Sequence, residues 1–196
     1  DVASTLLAES LESFRRALPM PSYLGPFRVE PSQLMRVPNQ VIRDLGPRGE
    51  RALEFLADDR LRHGGHIERD VREWFGTAMD GQAVEIDVSG DPPKVQVSSR
   101  RNSVRVSLSD TGAGFAQVLP VAVQHFAYRA GRLPTSMLIV EQPELHLHPA
   151  AHGAVADLIL GTATPGRAHP PALCIVETHS EQFIMRLRRR VAELSD

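Results

Sequence analysis

The chain has a single cysteine, Cys174, so no disulfide can form within it, and this usage fits a reducing cytoplasm. The apolar neighbours of that cysteine, Ala172-Leu-Cys-Ile-Val176, mark an inert buried thiol rather than a nucleophile. Long apolar runs are also missing. None approaches the roughly 20 residues that cross a bilayer, and the opening stretch DVASTLLAES lacks the basic start and apolar block of a secretory signal. No membrane partner is expected. An initiator methionine is absent, as expected of an excised or processed piece of a longer protein. Nor is there an excess of one charge. The formal net charge of -2 gives no bulk attraction to nucleic acid or to an acidic membrane. What is present is ordinary globular material. The 196 residues, 42% hydrophobic and 23% charged, suffice for one domain with a real core or for a large part of a bigger one.

Apolar periodicity divides the chain into two styles. Residues 3–18 have a helical rhythm that stops at Pro19. Residues 20–33, with three prolines and a glycine, read as a short strand or extended piece among turns. Helices are expected over 47–62, with Pro47 near the start, and over 66–79, ending near Gly76. Alternating residues over 83–90, 94–99 and 102–108 then predict half-buried antiparallel strands, with a turn at 90–93. From Gly112 the pattern changes. A glycine-containing loop precedes an apolar helix over 115–130 that carries Pro120. A fully apolar strand over 136–141 follows, then a helix opened by Pro149, a loop, and a second apolar strand over 172–177. Ser180 is placed to cap a last helix over 181–193. Two apolar strands joined by a helix predict a parallel βαβ core, and the fold expected is α/β, a mixed sheet with flanking helices.

The chemistry collects at the tips of these two strands. In open α/β sheets ligands bind beyond the carboxyl ends of the strands. Met137-Leu-Ile-Val-Glu-Gln-Pro-Glu-Leu-His-Leu-His-Pro149 places Glu141, Gln142, Glu144, His146 and His148 at one such end. Glu177, Thr178, His179 and Ser180 occupy the other. An apolar strand ending in an acid is the form of a Walker B segment, which holds Mg²⁺ against nucleotide phosphates.

VEQPELHLHP, followed by CIVETHSEQF, resembles the ABC-type ATPases of the SMC-like and OLD-like (overcoming lysogenization defect) groups. It is most similar to bacterial AAA-labelled ATPases with an E-Q-P-E-L-H-L-H-P Walker B region and an E-T-H-S switch. DTGAGFAQVLPV resembles their signature loop and helix, YLGPFR resembles an upstream strand, and RLRRRV matches an arginine-rich helix after the switch. The likeness is dense over 106–192, thin over 20–60, and silent over 1–18 and most of 61–104.

The resemblance implies a partial P-loop NTPase fold and a role for each matching residue. Glu141 is the Walker B acid, holding Mg²⁺ through water. Gln142 stands where most relatives have the catalytic Glu, and Glu144 is a substitute base in one reading. His179 is the switch histidine that reaches the γ-phosphate. Gly112, Ala113 and Gly114 form the signature loop, and Gly112 replaces the usual serine. His148 takes the place of the D-loop Asp. ATP and Mg²⁺ are the implied cofactors. An amide at 142 orients water but takes no proton, so slow hydrolysis is expected. No G-x-x-x-x-G-K-[ST] occurs, so this chain is expected to be the C-terminal half of a longer ATPase. Its expected partners are the Walker A half, on the same or another chain, and a second copy in a head-to-tail dimer. A nuclease or DNA, in DNA maintenance or phage defence, is the wider implication.

The division expected is one partial ATPase domain over 1–196, with core at 19–60 and 105–196 and an accessory helix and β-hairpin region at 61–104. Other readings stay open here. The chain is also compatible with a non-catalytic ATPase-like interaction module. Alternatively, His146 and His148 with Glu141, Glu144 and His179 would supply a metal-dependent hydrolase. The bland alternatives are a solvated turn for 141–144, a packing role for His146, turn and cap roles for Thr178 and Ser180, and a solvated helix for Arg186, Arg188, Arg189 and Arg190. Trp74 and Phe75 read as core.

Overall fold

The computed structural model describes residues 4–7, 10, 11, 13, 20–30, 40–79, 81–87, 94–99, 105–107, 113–166 and 169–195. Of the expected features, Gly112 and the 90–93 turn lie outside these residues. Residues 4–7, 10, 11 and 13 are helical, inside the helix expected over 3–18. The elements that follow are β1 (Ser22–Leu24), α1 (Ala52–Arg62), α2 (His66–Ala78), β2 (Gln82–Asp87), β3 (Lys94–Ser99) and β4 (Arg105–Ser107). Then come α3 (Ala113–Arg129), β5 (Met137–Glu141), α4 (Pro149–Ala163), β6 (Leu173–Glu177) and α5 (Glu181–Ser195).

The described strands form two three-stranded sheets. One is parallel, in the order β1-β5-β6, with β5 central and α4 as the crossover to β6. The other is the expected antiparallel meander β2-β3-β4. A single cluster of buried side chains joins them. It contains Leu24, Leu138 and Val140 of the parallel sheet, Val84, Ile86 and Val97 of the meander, and Phe55, Phe75 and Phe115 from the helices between. Phe75 stacks on Phe115 with ring centroids 4.4 Å apart. The helix α3 is buried at every position from Phe115 to Tyr128, which its nearly continuous apolar sequence permits.

One helix boundary differs from expectation. The first helix starts at Ala52 rather than Pro47, because Gly46 and Gly49 take positive φ angles of 75° and 68° and fold 46–51 into turns. The second runs over His66–Ala78, as expected, and closes with Met79 N–H donating to the Phe75 carbonyl. Arg188 and Arg189 of α5 are exposed, as a solvated helix would have them, whereas Arg186 and Arg190 are partly covered. Arg186 and Arg190 both donate to the Asp157 carboxylate of α4, at 2.6–2.9 Å, and so pin the two helices together.

The apolar strands are not covered on both sides. Leu138 and Val140 face the core, while Leu173 and Ile175 of β6 remain 56% and 48% exposed. Residues paired across the parallel ladder point the same way. Tyr23, Ile139 and Ile175 thus form one row, and Met137 with Leu173 another, on an outer face that no described element covers.

A buried histidine gives the fold a pH dependence. His125 of α3 is fully enclosed, neither ring nitrogen has a partner, and burial together with nearby Arg129 pushes its pKa down to about 3. A histidine with a lowered folded-state pKa is neutral when folded but protonates when unfolded below its ordinary value near 6.5. Stability is therefore full above about pH 6.5 and falls by about 1.4 kcal/mol per pH unit on acidification toward the folded pKa. Unfolding free energies from urea titrations at pH 7 and pH 5 should differ by about 2 kcal/mol, and His125→Gln should flatten that difference. An unchanged slope in the variant would mean that other groups set it.

Candidate functional site

Parallel pairing of β5 with β6 places Glu141 directly opposite Glu177, in register, at the carboxyl ends of both strands. Both carboxylates lie on the bare outer face. The Tyr23 hydroxyl, on the neighbouring β1, donates to Glu141 Oε1 at 3.0 Å. That bond, with burial and the two negative charges, raises the Tyr23 pKa, so the phenol stays protonated.

After Glu141 the chain reverses sharply. Gln142 has φ 44° and His146 has φ 63°, both in the left-handed region that non-glycine residues enter at a cost of about 1 kcal/mol or more. Leu145 N–H donates to the Gln142 carbonyl, and Leu147 N–H to that of Glu144. The Gln142 N–H donates to the Glu177 carbonyl at 2.7 Å, tying this turn to the end of β6.

The strained turn is held from behind by Arg28, which is 3% exposed. Its guanidinium donates to the carbonyls of Glu141 (2.6 Å), Gln142 (3.3 Å) and Gln117 (3.3 Å). Gln117 of α3 in turn grips the Arg28 backbone, accepting its N–H at 3.1 Å and donating to its carbonyl at 2.9 Å. Burial lowers the Arg28 pKa to about 10 against the opposing pull of Glu144 and Glu141, which leaves it charged at neutral pH.

Glu144 points inward and is 8% exposed. Its Oε1 accepts the Thr178 hydroxyl at 2.6 Å and the His179 N–H at 3.0 Å. The His179 imidazole, by contrast, is 78% exposed, with Nε2 3.9 Å from Glu177 Oε1. Ser180 caps α5 by accepting the Phe183 N–H, as expected.

His148 occupies the N-cap of α4, where its Nδ1 accepts the Ala150 N–H at 3.2 Å. Among the described residues no group of three His, Cys, Asp or Glu side chains converges as metal ligands. Ala113 and Gly114 open α3, and Gly114 packs against the backbone of His146. The start of this helix therefore lies beside the 142–148 turn. Cys174 is half-buried, with its pKa pushed up to about 11 by burial, so its thiol is unreactive at neutral pH.

The structure thus brings Glu141, Gln142, Glu177 and His179 to one rim, with Glu144 turned inward behind it. Arg28 and Gln117 belong to the same constellation, as does His152 of α4, whose Nδ1 lies 2.6 Å from the Ser180 hydroxyl, and the sequence did not single out any of the three. Arg28 had a signal, since a lone arginine follows the Gly-Pro turn after β1. The other two sit in helices with nothing to distinguish them.

No protein-family model matches the chain. No curated protein matches it either. Solved structures do. The Smc head with an extended coiled coil, bound to the C-terminal domain of ScpA, from Pyrococcus furiosus, matches 70% of this chain and 32% of that one, at 15% identity and a TM-score of 0.49. An Smc head bound to the C-winged helix domain of ScpA matches 70% of this chain and 44% of that one, at 16% identity and a TM-score of 0.51. A chain from a study of ATP-driven dimerization and DNA-stimulated activation of SMC ATPases matches 70% of this chain and 94% of that one, at 15% identity and a TM-score of 0.51. The chain spans less than half the length of the first two and nearly all of the third. At such identities the likeness concerns architecture: the chain has an α/β fold similar to that of SMC heads, the ABC-type ATPase fold.

Proposed function

We propose that this chain is the Walker B and switch lobe of an ABC-type ATPase that binds Mg-ATP. The observation that carries this reading is the rim where Glu141 and Glu177 stand in register, with the exposed His179 imidazole beside them. Carboxylate oxygens at a strand tip suit Mg²⁺, a hard cation that favours oxygen ligands and retained water. Glu141 would hold the ion through water, and when bound the ion would neutralise charge developing on the phosphates. His179 is placed to donate a hydrogen bond to a phosphate oxygen. Gln142, fixed in its left-handed conformation, would orient the attacking water without accepting its proton, and slow turnover follows.

The bare apolar face beside that rim fits the Walker A half as its cover, on the same or another polypeptide. Ala113 and Gly114, with Gly112 before them, would meet the nucleotide of a second copy in a head-to-tail dimer, and His148 would lie nearby. Coupling to a nuclease or to DNA, as in phage defence, rests on the sequence motifs.

The test is Mg-ATP turnover by the longest natural polypeptide containing this chain. Glu141→Ala and His179→Ala should each lower it by about tenfold or more, a loss of at least about 1.4 kcal/mol of transition-state stabilisation. ATP binding without turnover in the parent would instead favour a non-catalytic, nucleotide-gated module. Absence of both would overturn the nucleotide site.

A further inference from the structure

Glu144 touches the switch segment through its backbone. One carboxylate oxygen accepts both the Thr178 hydroxyl and the His179 N–H, and the Thr178 oxygen in turn accepts the Ser180 N–H at 3.0 Å. Those two donors fill the two lone-pair directions of Oε1. The other oxygen, Oε2, is enclosed without a partner, as is Nε of Arg28, whose charge Glu144 feels. A general base must come within hydrogen-bond reach of the proton it takes, and neither oxygen of Glu144 is presented to the open rim.

A second tether reaches the same segment independently. His152 of α4 lies between the Ser180 hydroxyl, 2.6 Å from Nδ1, and the Leu147 carbonyl, 3.2 Å from Nε2. A carbonyl only accepts, so Nε2 carries the proton and Nδ1 accepts from Ser180. This bond anchors Ser180 and the start of α5 whatever occupies position 144. Loss of the Glu144 carboxylate would thus loosen residues 178 and 179 in particular.

We propose that Glu144 is a positioning residue whose carboxylate fixes the His179 backbone, so that the imidazole stands at the Glu141–Glu177 rim, and that it takes no proton itself. This rests on the nucleotide reading of that rim for its effect on turnover, though not for its effect on the loop.

Four variants of the full natural polypeptide test it: Glu144→Ala, Glu144→Gln, Thr178→Val, and Glu144→Ala combined with His179→Ala. Glu144→Ala should lower kcat by about tenfold with little change in KM, and Thr178→Val by less. Glu144→Gln, whose amide oxygen still accepts both bonds, should recover most of the loss. The double variant should be little worse than His179→Ala alone, because both changes remove one function. Exchange of the His179 amide hydrogen, followed by NMR, should quicken by about tenfold in Glu144→Ala and stay near the parent rate in Glu144→Gln.

Equal inactivity of the Gln and Ala variants would make Glu144 a proton acceptor and overturn the proposal. Additive losses in the double variant, or unchanged His179 exchange in Glu144→Ala, would overturn it as well. If the parent shows no turnover, the ATPase reading fails, and the exchange rates still decide whether the carboxylate holds the loop.

Discussion

Replacing Arg28 with methionine is expected to destabilise the fold by about 3–5 kcal/mol. Methionine fills much of the same space, so the loss is not chiefly one of packing. It comes from the carbonyls of Glu141, Gln142 and Gln117, which lose their donor, and from Glu144, which loses the nearby positive charge. A buried acceptor left without a partner costs about 1–3 kcal/mol, and an uncompensated buried charge costs more. In a domain of this size the melting temperature should fall by roughly 10 °C. The urea midpoint should drop without a change in slope. Lysine at the same position should recover only part of the loss, because one ammonium cannot match a fork that spans three carbonyls. A change below about 1 kcal/mol for Arg28→Met would mean that water takes over these carbonyls.

Gly114→Ala should destabilise the fold by about 2–3 kcal/mol, against the usual sign. Exchanging glycine for alanine inside a helix normally stabilises by about 0.5–1 kcal/mol, since alanine loses less backbone freedom on folding. Here an added Cβ would stand 2.4 Å from the His146 carbonyl oxygen and 3.1 Å from its carbon. The obstacle is backbone and cannot rotate away, so α3 and the 142–148 turn would have to separate. Gly161 in α4 provides the contrast, because a Cβ there meets nothing within 4 Å. Gly161→Ala should follow the usual rule and stabilise by about 0.5–1 kcal/mol. Thermal melts of the two variants side by side separate steric demand from helix propensity, and similar shifts would remove the steric explanation.

The contrast at Gly114 also shows what sequence reveals and what it hides. A glycine opening an apolar helix was legible, as were the apolar strands β5 and β6 and the acids at their tips. Each is a local pattern, set by periodicity and by the residue types at its ends. That Gly114 must also admit the His146 carbonyl depends on a contact between distant segments, and periodicity carries no trace of it. Arg28 is hidden for the same reason: its partners lie 89 to 114 positions away. The exposed flank of the parallel sheet was misleading in another way. The first four residues of β5 and of β6 are all apolar, a pattern that suits cover on both sides, yet Leu173 and Ile175 face outward. Apolar sequence records what a surface is suited to touch, and the described residues contain only part of that.

The pairing of β1 with β5 also imposes an order in time. Leu24 finds its partner only at Val140, so more than a hundred residues must leave the ribosome between them. At roughly 5–20 residues per second, the β1 segment waits several seconds or longer before its ladder can form. Through that interval Tyr23 and Leu24 are unpaired, and Arg28 carries its charge with no carbonyls to receive it. The parallel sheet therefore closes only after the local hairpins of β2, β3 and β4 have been able to form, and the rim that bears Glu141 and Glu177 forms with it.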